Sequence, residues 1–425
     1  MQNRSNANII ALLPLAVFLG IYLIGSIIAG DFYKIPITVA GMTASIVAIA
    51  MTRRPIAESI GDYSRGATDV NIMLMIWIFV LAGAFAASTK AMGAVDATVA
   101  LTLKIIPEEF LPAGIFIAAC FTSISVGTSV GTIVALTPIA SAIAEQTGCS
   151  IPWLVAIVVG GALFGDNLSF ISDTTIAATQ SQGCKMKDKF RTNFLIVLPA
   201  AIVTLLLYLF GNQTAETVAI QESIEWFKAL PYLLVIILAL CGINVLMVLI
   251  LGTIVTDAIG LISGAFAPLD LFTAAGDGLS SMVELILVTL LAGGVMAIVK
   301  QLGGFDFLID RLTRKVTSRR GAEAVVALLT ALYNFCTANN TIAILTVGPI
   351  ARDLAVKYSI PARKCASLLD TASCVVQGYL PYGAQLLMAA GLASISPVEI
   401  IPHLYYPFLI GVMVVLSIIF QFPKR

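Results

Sequence analysis

Gly165-Asp166-Asn167-Leu168-Ser169-Phe170-Ile171-Ser172-Asp173-Thr174-Thr175 interrupts a stretch otherwise apolar enough to cross a membrane. It sets two carboxylates among hydroxyls and an amide. An ionisable side chain at bilayer depth costs about 2.5 kcal/mol or more, so such a segment is a functional site by default. Around it, 59% of the 425 residues are hydrophobic and 11% charged, with a mean hydropathy of +0.99. That is too much apolar surface for a soluble core. The chain reads as an all-α polytopic membrane protein, built from repeated apolar runs of about 20 residues.

Composition also excludes classes. A formal net charge of zero argues against nucleic acid, and the single His403 against a histidine-cluster metal enzyme. The seven cysteines form no close CxxC pair and read as small buried hydrophobes, not as disulfides or a metal site. Nothing matches GxxxxGK[ST], and no cofactor or enzymatic activity is expected. The run from Ile9 to Ile28 is longer than a signal-peptide core and flows into a second span, so it reads as a retained helix.

Spans are expected at 9–28, 35–51, 70–88, 151–180 (interrupted), 193–210, 230–241, 244–264, 282–300, 360–390 (interrupted) and 403–420, about ten in all. The pair over 230–264 turns near Cys241-Gly242-Ile243-Asn244, and the first of the two has an alternative start near Glu222. Segments 110–146 and 321–358 are apolar but broken midway by small polar residues, and each is too short for two spans of about 20 residues plus a loop. They read as re-entrant hairpins, which are tolerated where backbone is buried in protein or lines a water-filled cavity. With both hairpins returning to their own side and both termini cytoplasmic, only Lys34, Lys90, Lys104 and Lys228 lie outside. The inside collects Arg4, the runs Lys185–Arg191 and Arg311–Arg320, Lys364, Lys424 and Arg425, as the positive-inside rule asks. The two basic runs read as topology anchors, with anionic-lipid contact secondary.

An internal match organises this topology. Leu81-Ala82-Gly83-Ala84 answers to Leu291-Ala292-Gly293-Gly294, and on the same register Lys90 to Lys300, Gly93 to Gly303 and Asp96 to Asp306. With a small shift the tip Thr122–Thr132 answers to Cys336–Thr341, Pro138 to Pro349 and Asp166 to Asp370. The expected domains are two inverted-topology repeats. The first, 1–211, holds three spans, hairpin 110–146, interrupted span 151–180 and span 193–210. The second, 212–425, holds three spans, hairpin 321–358, interrupted span 360–390 and span 403–420. Inverted repeats with interrupted helices and a mid-membrane site are the plan of secondary transporters.

Each half thus supplies one polar hairpin tip and one carboxylate on a broken helix. Hard monovalent cations want oxygen ligands. The candidates for cation or proton binding are Asp166, Asn167, Ser169, Ser172, Asp173, Thr174, Thr128, Ser129, Asn339, Asn340, Thr341, Asp370 and Ser373. Sodium is expected at Asp166, Asp173, Thr128, Ser129 and Asn340. Asp166 and Asp173, seven positions apart, share a face on an unbroken helix, a geometry lost if the helix breaks between them. A desolvated carboxylate can exchange a proton for a cation, the minimum chemistry of antiport. Asp257 lacks a counterpart in the first half and is either a solvated helix end or a site member, and His403 reads as interfacial.

The Gly165–Thr175 segment, the Gly127-Thr128-Ser129…Gly131-Thr132…Pro138 hairpin and the Asp370…Cys374…Gly378…Pro381-Tyr382-Gly383 segment resemble the NhaC-type sodium/proton antiporters of the ion transporter superfamily. The resemblance spans nearly the whole chain. It implies a scaffold plus a moving transport domain, elevator-like alternating access, a homodimer and a bacterial inner-membrane location. It also makes Asn339-Asn340-Thr341 similar to the Ser-Asn-Thr tips of sodium-coupled carboxylate transporters. Ser169-Phe170 stands where relatives usually carry Ser-Pro, and Pro381-Tyr382-Gly383 where they commonly carry Pro-Trp-Gly, departures that bear on the transported solute.

The expected function is exchange of cytoplasmic sodium for external protons, with sodium, protons and membrane lipid as partners. The alternative is sodium-coupled movement or exchange of a small carboxylate or amino acid. The scarcity of basic residues at membrane depth favours the first, although half-helix N-termini can also hold a carboxylate. An intramembrane aspartyl protease needs two Asp on separate helices, which Asp166 and Asp370 meet only loosely, and an ion channel stays open on sequence grounds.

Overall fold

Several helices here end at a glycine with positive φ, Gly127, Gly148, Gly183 and Gly264 among them, and several start at a polar side chain that caps a free N–H, as Asn244, Ser318 and Asn339 do. The computed structural model describes residues 8–25, 28, 35–105, 107, 110–169, 172–211, 225–241, 243–314 and 316–423, and every regular element among them is helical. Phe170 and Ile171 of the central motif, Arg4, Lys34, Lys315, Lys424 and Arg425 of the charge pattern, and the alternative start near Glu222 lie outside the described residues.

After a short α1 (Leu13–Leu19) come α2 (Ile37–Met51), α3 (Ile56–Ala67), α4 (Val70–Met92) and α5 (Ala94–Ile105). Two broken pairs follow, α6 (Leu111–Val126) with α7 (Ser129–Thr147) and α8 (Ile151–Leu168) with α9 (Asp173–Gln182), and then the long α10 (Met186–Phe210). Beyond α11 (Leu230–Leu240) the order recurs with α12 (Val245–Ser263), α13 (Asp270–Ser281), α14 (Val283–Gln301) and α15 (Gly304–Thr313). The pairs α16 (Arg319–Thr337) with α17 (Asn340–Lys357) and α18 (Ala362–Gln377) with α19 (Ala384–Ala393) follow, then a single turn α20 (Pro397–Ile400) and α21 (Tyr405–Ile419).

Five helical stretches among the described residues are long and apolar enough to cross a membrane: Ile72–Met92, Ile151–Gln182, Met186–Phe210, Val245–Ser263 and Asp270–Gln301. Helix α19 and Pro397–His403 reach that length only when taken together, with a bend of 103° between them. The expected spans at 9–28, 35–51, 230–241 and 403–420 correspond to shorter apolar helices. This is a multi-helix membrane protein. The sequence reading has loops where α3, α5, α13 and α15 stand. Helices α3 and α13 are amphipathic and carry Glu58, Asp62 and Arg65, or Asp270 and Asp277, so hydropathy does not mark them.

Those unmarked helices tie the halves together. Helix α3 packs along α14, and α13 along α4, so each lies on the Leu-Ala-Gly helix of the other half. A Cβ on Gly66 would meet the Gly293 carbonyl, and one on Gly278 the Gly83 carbonyl. The matched tetrapeptides are therefore contact points where small residues let two backbones meet. The exchange continues in the broken pairs: α6 packs on α8 and α16 on α18, α9 reaches α17, and α19 reaches α7.

The core lies at α8, whose residues from Trp153 to Leu168 are all buried. Protein surrounds this stretch on every face. Its last turn carries Gly165–Leu168 of the polar motif, all four buried among the surrounding helices.

Candidate functional site

The first broken pair turns at Gly127, which takes φ 75 and caps α6 through its N–H to the Ser123 carbonyl. Such a left-handed angle suits a residue without Cβ. Thr128 then extends the chain, and α7 starts at Ser129 with its first N–H groups free of intrahelical partners. Asp166, on the last turn of α8 and 4% exposed, accepts the Ser129 N–H at 2.8 Å. The Ser129 hydroxyl also lies against this carboxylate. A helix N-terminus carries partial positive charge and suits an anion, so Asp166 is held by a dipole. Among the described residues it makes no ion pair.

Close packing sets this geometry. The Ser123 hydroxyl donates to the Ala162 carbonyl at 2.6 Å, and Ser169 Oγ donates to the Ile124 carbonyl at 2.9 Å, which lashes the end of α6 to the end of α8. Gly165 sits under Ser123, and a Cβ there would collide with both its side chain and its backbone.

The second carboxylate has a different environment. Asp370, fully buried on α18, pairs with Lys189 Nζ at 2.7 Å and accepts Asn193 Nδ2 at 2.8 Å. Lys189 also donates to the Asn167 carbonyl at 3.0 Å and to Thr175 Oγ1 at 2.7 Å, and Asn193 Nδ2 donates to the same Asn167 carbonyl at 2.9 Å. The assignment of Lys189 to a cytoplasmic anchor is thereby corrected. It is 1% exposed, because the turn between α9 and α10 folds the start of α10 back under the end of α8. Lys189 is thus a buried basic residue that the charge pattern alone does not mark. Lys364, also counted among the inside charges, is 3% exposed and bonds Ser417 and the Phe422 carbonyl.

The remaining candidates divide by location. Asn167 is buried, with Nδ2 on the Leu163 carbonyl at 2.9 Å and the Tyr406 hydroxyl at 3.1 Å. Buried Ser172 and Thr174 share a hydrogen bond of 2.8 Å at the start of α9. Asp173, in that same first turn, is exposed; α8 ends at Leu168, so the common helical face with Asp166 does not form. Asp173 and Asp370 nevertheless lie within electrostatic reach of Asp166. At the second break Ala338 takes φ 50, Asn339 Oδ1 caps the Ile342 N–H at 3.0 Å, and Asn340 Oδ1 accepts the Thr341 N–H at 3.1 Å. The fully buried Ser373 donates to the Asp370 carbonyl at 2.8 Å, and its own carbonyl accepts Asn334 Nδ2 at 2.7 Å. Asp257 on α12 is half-buried, and its Oδ1 has no hydrogen-bond partner among the described residues.

Two glutamines absent from the sequence reading join the breaks. Gln385 Nε2 donates to Ser129 Oγ at 3.0 Å, Gln377 Nε2 donates to Gln385 Oε1 at 2.6 Å and also to the Ala338 carbonyl at 3.1 Å. Both tips thus share one polar seam with Asp166.

A description of the Na+/H+ antiporter family matches residues 5–212 and 214–423. The chain belongs to the Na+/H+ antiporter family. It is 24% identical to the Na+/H+ antiporter NhaC of Bacillus subtilis over 97% of this chain and 98% of that protein. It is likewise 24% identical to the Na+/H+ antiporter NhaC of Alkalihalophilus pseudofirmus, with 80% of each chain covered. The malate-2H+/Na+-lactate antiporter of Bacillus subtilis is 21% identical over 95% of this chain and 94% of its own. The solved YdaH transporter of Alcanivorax borkumensis aligns over 86% of this chain and 88% of its own, with 14% identity and a TM-score of 0.42. Membership makes this a transport protein, and a buried carboxylate beside a helix N-terminus is then read for cargo.

Lys189 and Asn193 had one sequence signal between them. They stand four apart at the start of a long apolar helix, so both side chains project from one face. Gln377 and Gln385 had none, since each is a lone uncharged amide in a mostly apolar stretch.

Proposed function

We propose that this protein is a secondary active sodium/proton antiporter that exchanges cytoplasmic sodium for external protons by alternating access. One observation carries the reading: Asp166 is buried and dipole-held, with no cationic side chain paired to it among the described residues. An ionised carboxylate there needs a countercharge, and a sodium ion and a proton are mutually exclusive ways to supply it. Ser129 and Thr128 at the first tip, with Asn340 and Thr341 at the second, are the proposed oxygen donors around it. Asn167, Ser169, Ser172, Thr174, Asn339 and Ser373 hold the two breaks, and Asp173 stands at the exposed approach.

The architecture proposed with it is two inverted repeats of opposite orientation, with α6–α7 and α16–α17 as re-entrant hairpins. The recurring element order, the reciprocal packing and the two matched stretches favour it. In this reading α6–α10 with α16–α21 form the moving bundle and α2–α4 with α12–α14 the scaffold. The elevator movement, the homodimer and the inner-membrane location rest on the family resemblance; cytoplasmic termini rest on the loop charges.

Reconstituted vesicles containing a pH dye test the function. Sodium added outside is expected to drive proton movement, and Asp166→Asn to abolish it. Sodium that moves no protons in the wild type would overturn the reading. A second reading, exchange of a small carboxylate, draws on a cavity of about 230 Å³ beside the second tip, where Asn339, Thr337, Thr289 and Lys300 could meet an anion although Asp69 also lines it. The malate/lactate exchanger named above is a relative of matching length. Sodium flux that appears only with added malate or lactate would select this alternative.

A further inference from the structure

We propose that Lys189 is a tethered counter-cation that occupies the Asp370 half of the site, so that the chain holds a single sodium ion, at Asp166. An ammonium has three N–H donors. Lys189 spends them on the Asp370 carboxylate, the Asn167 carbonyl and the Thr175 hydroxyl, at 2.7, 3.0 and 2.7 Å. Carboxylate, backbone carbonyl and hydroxyl are the oxygen types that ligate a hard cation. The ammonium therefore stands where a second sodium ion would find its ligands.

Two further observations fit. Asn193 holds the set in place by donating to both Asp370 Oδ2 and the Asn167 carbonyl. Asp370 Oδ1, Asn167 Oδ1 and Asn193 Oδ1 are buried acceptors with no hydrogen-bond partner among the described residues. Removing the ammonium would leave them, with the carboxylate, as a vacant oxygen-rich set near Asp166. Lys189 touches no cargo in this scheme and acts through Asp370, as a positioning and specificity-determining residue.

The inference rests on the proposed sodium site at Asp166. The test counts radioactive sodium bound per chain by the purified full-length protein in lipid nanodiscs, together with the Hill coefficient of sodium-driven exchange in vesicles. Wild type is expected to bind one sodium ion with a Hill coefficient near one. Lys189→Met is expected to bind two, with the coefficient rising toward two, and Lys189→Met/Asp370→Asn to return to one. Lys189→Arg keeps the charge and is expected to stay at one. Two ions on the wild type, one of them lost in Asp370→Asn, would overturn the proposal without any Lys189 variant having to fold. A monodisperse Lys189→Met protein that still binds one ion would also overturn it. If Asp166→Asn leaves the wild-type count unchanged, the Asp166 reading has failed instead, and the two failures are distinct.

Discussion

Asp166 and Asp370 lie one on each of the two broken helix pairs, and their carboxylates are held in opposite ways. Asp166 ends a helix and receives the N-terminus of another. Asp370 sits inside its helix against a fully buried lysine. A backbone dipole gives a carboxylate only partial compensation and leaves room for a mobile charge. A saturated ammonium gives complete compensation and leaves none. The comparison teaches that two buried carboxylates in one bundle need not be equivalent: one is left without a cationic partner among the described residues, and the other is tied to a lysine.

The comparison can be broken most directly at Asp166. Asp166→Asn is expected to reduce sodium-driven proton movement to background in the vesicle assay, with thermal unfolding little changed, since the amide can still accept the Ser129 N–H. Asp370→Asn is expected to behave differently. It strands a buried lysine and should cost about 3–5 kcal/mol of stability. Unfolding of the two variants in the same detergent decides the matter; equal losses would erase the distinction. Gly165→Ala pushes a methyl group into Ser123 and is expected to cost about 1–3 kcal/mol through overpacking, seen as a lower unfolding midpoint.

Smaller effects sharpen the picture. Gln385→Leu removes the donor to Ser129 Oγ and leaves Gln377 without its amide partner, a loss of about 1–2 kcal/mol. Because Ser129 faces Asp166, the half-saturating sodium concentration for exchange should also rise. Ala338→Gly relieves a left-handed backbone angle at a residue with a Cβ and is expected to raise stability by about 1 kcal/mol, measured by the same unfolding assay.

Much of the site was legible in the chain. Asp166, Asn167, Ser169 and Asp370 stand out because polar groups are rare in an apolar run, and Gly127 and Asn339 mark the tips because each interrupts one. Lys189 misled for a physical reason. A lysine among Lys185, Lys187 and Arg191 near a span end looks like a topology anchor, and only the fold of the α9–α10 turn separates it from its neighbours. For Asp173 the sequence left the geometry open: two carboxylates seven positions apart share a face only on a continuous helix, and the fold breaks this one after Leu168.

Composition and periodicity determined the solvent this protein lives in, the helical class, and the two places where polar groups enter apolar helices. Those properties follow from transfer energies summed along the chain, which need no partner. Tertiary structure alone decided which carboxylate is paired, which lysine is buried, and why Leu-Ala-Gly occurs in both halves. Pairing, burial and close backbone contact depend on residues far apart in sequence, Lys189 with Asp370 and Gly66 with Gly293, that meet only once the helices have packed.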